Sequence, residues 1–450
     1  MSFDKLSFDK LTLNFFLYPG GHHEAGWRHG PAERERLFDI RFYQDLAQAA
    51  EAAKFDAIFF ADAPAVAENI AHAARFRFEP ITWFAALAAV TERIGFVATA
   101  STTYTQPYNL ARQFAALDQL SGGRAGWNIV TTSHPDSAQN FGLPEHPPHA
   151  SRYEIAREYV EVVTKLWDSW EDDAVVADAE SGVFADLAKI HPIDHAGRHF
   201  RVKGPLNTPR SPQGRPVYVQ AGSSEDGRDF AARFAEAIFT AHQTVESARD
   251  FYRDVKARAR ALGRPANAIR ILPGISPFLG GTEAEAKALE RDFNDLIQPA
   301  ASLAQLERMI GVDLTGWDLD APFPRDALPA GGEFGPNSRA QLVRGVVERE
   351  RPTIRGLIER LAGARGHFVT AGAPEQVADL IEDWFRSGAA DGFNVMPPWL
   401  PGGFDAFASE VVPILQRRGL FRTEYEGTTL RDHYGLPRPE SGYAARRASA

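Results

Sequence analysis

A chain of 450 residues, 44% hydrophobic and 24% charged, has enough apolar material for a large core and the make-up of an ordinary globular protein. It contains no cysteine, which excludes disulfides, thiolate metal sites, iron–sulfur clusters and cysteine nucleophiles and fits a cytoplasmic protein. The formal net charge is −10, basic residues form no block, and no run of about 18 apolar residues occurs, so neither nucleic acid nor a membrane is an expected partner. Met1 to Lys10 carries charges and no long apolar stretch, so no signal peptide is expected.

Short apolar runs alternate with segments of helical period, as in a parallel α/β protein. In chain order, 11–17 (LTLNFFL) reads as a first strand and 39–53 as an amphipathic helix. Strand 56–61 ends at Asp62, and helix 81–90 follows. Strand 94–99 runs into the polar Ser101–Thr103, helix 108–120 follows, and 125–130 is the fourth strand. A loop rich in proline and histidine, 134–150, precedes helix 152–167. An insertion over about 171–215 contains a small hairpin at 195–202. Strand 216–220, helix 226–235, strand 237–241 and helix 245–262 restore the rhythm, and a seventh strand begins at 269–272. A second insertion, about 282–366, holds helical pieces at 284–297 and 339–361 around a Gly/Pro-rich stretch, 311–335. Helix 374–387, strand 393–396 and helix 404–418 close the pattern, and an arm is expected over about 422–450. Eight strands separated by helices, with right-handed crossovers, favour a closed (β/α)8 TIM barrel over an open sheet, in one domain spanning 1–450.

The top face of such a barrel is built where its strands end. Those ends are polar here: Asp62; Thr99, Ser101 and Thr102; Asn128, Thr131 and Thr132; Gln220, Ser223 and Ser224. Any one of them could be an ordinary capping or turn residue. Ala221-Gly222-Ser223-Ser224 joins a strand to a helix start, where free N–H groups and the dipole suit a phosphate; from the residues alone an ordinary serine N-cap is the preferred reading. His22 and His23 follow strand one and are candidates for contact with a ligand. No ligand-spaced His or Glu pair accompanies the histidines, so no metal is expected. There is no Walker A loop, no G-x-G-x-x-G and no G-x-S-x-G.

The stretch SGGRAGWNIVTT at 121–132, followed by AQNFG at 138–142, resembles the signature of the bacterial-luciferase-like flavin monooxygenases. Within them it is most similar to the branch of nitrilotriacetate, dibenzothiophene sulfone and long-chain alkane monooxygenases. FFAD at 59–62, HASRYEIAREYVEVVTKLWDSW at 149–170 and VQAGSSEDGRDFAARFAEAIF at 219–239 extend the likeness to most of 11–418. The resemblance implies FMN at the top of the barrel, with O2 as co-substrate and reduced FMN delivered by a separate NAD(P)H-dependent flavin reductase. It implies flavin contacts from Asp62, Thr99, Ser101, Asn128 and Thr131, from His149 and Tyr153, and phosphate contacts from Ser223 and Ser224. It implies a small organic substrate and a homodimer or homotetramer. His22, His23 and Asp62 are the candidates for moving a proton. Hydride transfer with a deazaflavin or flavin, a non-catalytic flavin-binding barrel and a metal-dependent hydrolase are the alternatives.

Overall fold

The computed structural model describes residues 8–30, 34–67, 69–265, 267–328 and 338–444. The expected features at 1–7, 329–337 and 445–450 lie outside them. Eight parallel strands close a barrel: β1 Thr12–Phe16, β2 Ala57–Phe60, β3 Gly95–Ser101, β4 Ala125–Val130, β5 Val217–Gln220, β6 Ala237–Thr240, β7 Arg270–Leu279 and β8 Gly392–Val395. Closure follows from register: β1 pairs with both β2 and β8, and β7 pairs with β6 along Arg270–Pro273 and with β8 at Gly274–Ile275.

The helices on the outside are α1 Ile40–Ala52, α2 Pro80–Ala88, α3 Pro107–Leu120, α4 His149–Trp167, α5 Glu225–Phe234 and α6 Val245–Ala261. Most have a local reason to start. Glu79 accepts the N–H groups of Ile81 and Thr82 with Pro80 at the first helical position, and Thr244 accepts from Ser247. Alternation along the strands splits the core into two layers. Phe16, Phe59, Val97, Val219, Phe239 and Leu272 pack inside the barrel. Phe15, Phe60, Phe96, Trp127 and Phe393 face outward against the helices.

The second insertion builds a core of its own from α7 Glu283–Asn294, α8 Pro299–Ile310, α9 Ser338–Glu350 and α10 Ile354–Ala364, around Leu306, Ile310, Phe323, Val347 and Leu357. The single helix expected over 339–361 is two. Pro352 forbids continuation, Arg351 turns to φ 49°, and Thr353 caps the next helix by accepting from Gly356. Helix α8 went unpredicted. β7 runs on to Leu279 and pairs there with an extra edge strand, Phe368–Gly372. Pro273 and Pro277 make this run read as broken, although each lacks only one donor. Helix α11, Pro374–Arg386, then leads to β8.

In the first insertion the expected hairpin forms between His195–Ala196 and Arg201–Val202, and a second, exposed one forms between Val175–Asp178 and Val183–Ala185. Beyond Arg422 the chain turns back beneath the barrel instead of extending away. A short helix, Leu430–Tyr434, closes the N-terminal mouth, with Leu430 and Tyr434 fully buried. A Cβ on Gly95 would lie 2.5 Å from the Leu430 side chain and one on Gly126 3.1 Å from it, so both positions are glycine because Leu430 occupies their space. Tyr434 donates to Asn14 Oδ1 at 3.0 Å, and Arg431 pairs with Glu236 at 2.6 Å. Among the described residues no helix is long and apolar enough to cross a membrane.

Candidate active site

The strands end on a face floored by three rings. Phe16, Phe59 and Phe239 meet edge-on or tilted, with centroids 4.7–5.3 Å apart. Above this floor several buried side-chain atoms have no hydrogen-bond partner: Asn128 Oδ1, Gln220 Oε1, Thr240 Oγ1 and Ser276 Oγ, from β4, β5, β6 and β7. Buried polar groups are normally paired. An arc of orphans over an aromatic floor fits a flat ligand carrying donors and acceptors at its edge.

One corner suits a phosphate. Ser224 is the N-cap of α5, accepting from Gly227 N–H at 3.2 Å, so the cap reading of the sequence is correct in geometry. Capping leaves the other first-turn N–H groups and the Ser223 hydroxyl for a ligand. Glu225 and Asp226 are both engaged there: Arg258 pairs with Glu225 at 2.7 Å, and His149 Nδ1 lies 3.2 Å from Asp226 Oδ2. Gly222 is what lets the corner close. A Cβ there would sit 2.3 Å from Gln220 Nε2 and 2.7 Å from the Tyr153 hydroxyl. Tyr153 lies tilted beside His149, centroids 5.0 Å apart, one turn along α4, and burial raises its phenol above the ordinary value.

The polar ends of β3 and β4 are tied to each other. Thr99 donates to Phe60 O at 2.7 Å and accepts from Asn128 Nδ2 at 2.8 Å, which leaves Asn128 Oδ1 as the free end. Ser101 accepts from Thr132 Oγ1 at 2.7 Å, and Thr131 O accepts from Arg152 at 3.1 Å. Thr132 is held at φ 51°, a conformation that costs a β-branched residue energy and that Ser101 and Arg152 enforce. The RAGWN run is explained residue by residue. Arg124 ties α2, α3 and β3 together, Ala125 N–H donates to Asp118 at 2.9 Å, Gly126 admits Leu430, Trp127 Nε1 donates to Ala100 O at 3.1 Å, and Asn128 points upward.

The three proton-transfer candidates separate. His22 is fully buried, with Nε2 2.8 Å from Phe16 O and Nδ1 3.0 Å from Arg365 Nη2. The carbonyl can only accept and the guanidinium can only donate, so the ring is neutral with its proton on Nε2. Burial first, then Arg365, holds its pKa well below the ordinary value. His23 accepts from Ala25 N–H at 3.1 Å and faces Asn294 Oδ1 of the insertion at 3.1 Å; burial lowers it to about 4. Both rings are committed to protein partners. Asp62 is different: burial raises its pKa to about 6, against the pull of Arg77, which puts its titration in a useful range.

Sequence reading missed Tyr18, Arg75, Arg77 and Arg365, which meet over the same face. A signal existed in RFRF at 75–78. Phe76 and Phe78 pack on Phe38, at 4.5 and 6.3 Å, while the alternating Arg75 and Arg77 face Tyr18 at 5.1 and 5.6 Å.

Residues 19–391 match the model of the family described as luciferase-like monooxygenase. The N-acetyl-S-(2-succino)cysteine monooxygenase of Bacillus subtilis (strain 168) is 47% identical, covering 97% of this chain and 98% of its own. The chain belongs to the luciferase-like monooxygenases. Nitrilotriacetate monooxygenase component A of Aminobacter aminovorans is 45% identical over 97% of this chain and 98% of its own. A riboflavin lyase whose structure holds modified FMN and riboflavin superposes with a TM-score of 0.83 at 33% identity, covering 96% of this chain and 97% of that one. The barrel is therefore that of a monooxygenase, and its branch is the one the RAGWN run resembles. Among the described residues no group of three or more His, Asp or Glu is placed to hold a metal ion.

Proposed function

We propose that this monooxygenase uses reduced FMN, supplied by a separate flavin reductase, to transfer one atom of O2 to a small organic substrate. The observation that carries the reading is the phosphate-ready start of α5 at one edge of an aromatic floor ringed by unpartnered polar atoms. Reduced flavin, when bound, supplies the electrons that let one oxygen enter the substrate while the other leaves as water.

The chain's own residues provide the setting. Ser223, Ser224 and the α5 N-terminus hold the phosphate, with the Tyr153 hydroxyl closing over it. Asn128 Oδ1 and Gln220 meet the edge of the ring system. Phe16, Phe59 and Phe239 exclude water from beneath it. Asp62 holds or gives up a proton at its carboxylate as the reaction demands. The chain shows no dinucleotide fingerprint, which favours a partner that handles NAD(P)H; the name "component A" of the nitrilotriacetate relative points the same way.

Anaerobic titration with reduced and oxidised FMN, followed by oxygen uptake against a substrate panel, tests this. Saturable binding of reduced FMN and product-coupled oxygen uptake are expected. Binding of neither oxidation state overturns the reading. Flavin-dependent reduction of substrate that proceeds equally without O2 replaces it with hydride transfer.

A further inference from the structure

Across the mouth from Ser224, four strands around the ring, three arginines converge on one phenol. The guanidinium carbons of Arg365, Arg75 and Arg77 lie 4.6, 5.1 and 5.6 Å from the ring centre of Tyr18. Tyr18 follows β1, Arg75 and Arg77 lie between β2 and α2, and Arg365 is the left-handed residue (φ 54°) that ends α10 of the insertion. Three separate segments thus bring positive charge to one point.

The cluster is not explained as scaffolding. Arg124 shows what a structural arginine looks like in this chain: it is 3% exposed and gives five hydrogen bonds of 2.5–3.1 Å to Ser121, Thr91, Ile94 and Ala88. Arg75 is as deeply buried, at 5% exposed, yet Nη1 and Nη2 make no hydrogen bond of normal geometry, and its nearest carboxylate, Glu24, stands 3.9 Å away. Arg77 Nε is unsatisfied as well, and so is the Tyr18 hydroxyl. Burying charged donors without partners is costly. Burial pushes the Tyr18 phenol up, yet Arg75, Arg365 and Arg77 together bring it below its ordinary value. Glu24 stands 3.9 Å from Arg75, Arg77 acts on Asp62, and His22 beside Arg365 is neutral. The phosphate corner has its own donors on the opposite side and makes no use of the unsatisfied donors of Arg75 and Arg77.

We propose that Arg75, Arg77 and Arg365, with the Tyr18 hydroxyl, form the anion-recognition half of the substrate site, and that the substrate bears at least one carboxylate. The planar fork of a guanidinium matches a carboxylate's two oxygens. Held there, the substrate's remainder lies over the aromatic floor beside Asp62. This rests on the monooxygenase reading above and adds the class of its substrate.

Calorimetry on the whole protein uses tricarballylate and succinate as probes, tricarballylamide as the uncharged counterpart, and inorganic phosphate. Saturable tricarballylate binding is expected, with the amide and the R77Q and R365Q variants each weaker by about thirtyfold. Anaerobic affinity for reduced FMN is expected to stay within about twofold in the same variants. R75K, which keeps the charge and loses the fork, covers the case in which R75Q fails to fold, and is expected to weaken tricarballylate by about tenfold. Absence of carboxylate binding while wild type takes up FMN overturns the substrate class alone. Carboxylate binding without FMN uptake overturns the flavin reading instead. An amide that binds as tightly as the acid, phosphate preferred to both carboxylates, or arginine variants that lose FMN together with the probe each overturn the assignment of the cluster to substrate.

Discussion

The two polar corners of the face depend on single atoms. At Ser224 the hydroxyl caps α5 and lies at the proposed phosphate corner, so Ser224→Ala removes a cap and, on the proposed reading, a contact together. A hydrogen bond to a charged group contributes about 1.5–3 kcal/mol, so S224A is expected to weaken reduced FMN by about tenfold or more in an anaerobic titration. Asp62 makes a pH prediction. Its folded pKa, about 6, stands above its unfolded value, so ionising it in the native state costs stability as pH rises from the carboxylate range through 6. Asp62→Asn is therefore expected to be more stable than wild type at pH 8, by about 2 °C in Tm, with the gain shrinking toward pH 5. A gain independent of pH would show that Asp62 does not titrate where its burial places it. Thr99 and Asn128 were legible as strand ends and Ser224 as the residue before a helix after β5, whereas Tyr153, inside α4, was singled out only by the likeness of 149–170 to the family. The commitments of His22 and His23 were not, because the partners Arg365 and Asn294 lie 343 and 271 residues away.

At the scale of elements, the joint between α2, α3 and β3 depends on Arg124, whose donors reach the carbonyls of Ala88 at the end of α2, Ser121 just after α3 and Ile94 just before β3. Arg124→Ala would orphan buried carbonyls and open a cavity, and a loss of about 3–5 kcal/mol in urea unfolding is expected. A loss under about 1 kcal/mol would mean that water replaces the guanidinium. Gly222→Ala tests the other joint. Its Cβ must displace Gln220 Nε2 and the Tyr153 hydroxyl, so weaker FMN binding with near-normal stability is expected, read by titration and by melting. Periodicity located the strands to within a residue or two because each is apolar on both faces and bounded by polar turns. It failed where proline masked the run of β7 and where the α9–α10 break turned on one residue. It could not show that Arg365 ends an insertion helix over the mouth, since nothing in the local sequence states where an insertion lands.

Over the whole molecule, the barrel is sealed from below by a segment outside it in sequence. Leu430 fills the space above Gly95 and Gly126 with no exposed surface, so Leu430→Ala is expected to cost about 2–5 kcal/mol, measured by urea unfolding monitored through tryptophan fluorescence. Little change would mean that the lower mouth tolerates a void. The eight-strand architecture was readable because a rhythm of strand and helix survives two insertions. The fate of the tail was not, since TTLRDHYGL at 428–436 is amphipathic on too short a span to state its target.

That seal also fixes an order of events. The Tyr434–Asn14 contact spans 420 residues, and Leu430 must nest between strands formed more than 300 positions earlier. A nascent chain emerging from the ribosome therefore carries an open-bottomed cylinder until 428–436 has been threaded out. For that interval the Phe16, Phe59 and Phe239 rings are one missing layer from water, which makes the late stage of synthesis the moment when this protein most needs shelter from its neighbours.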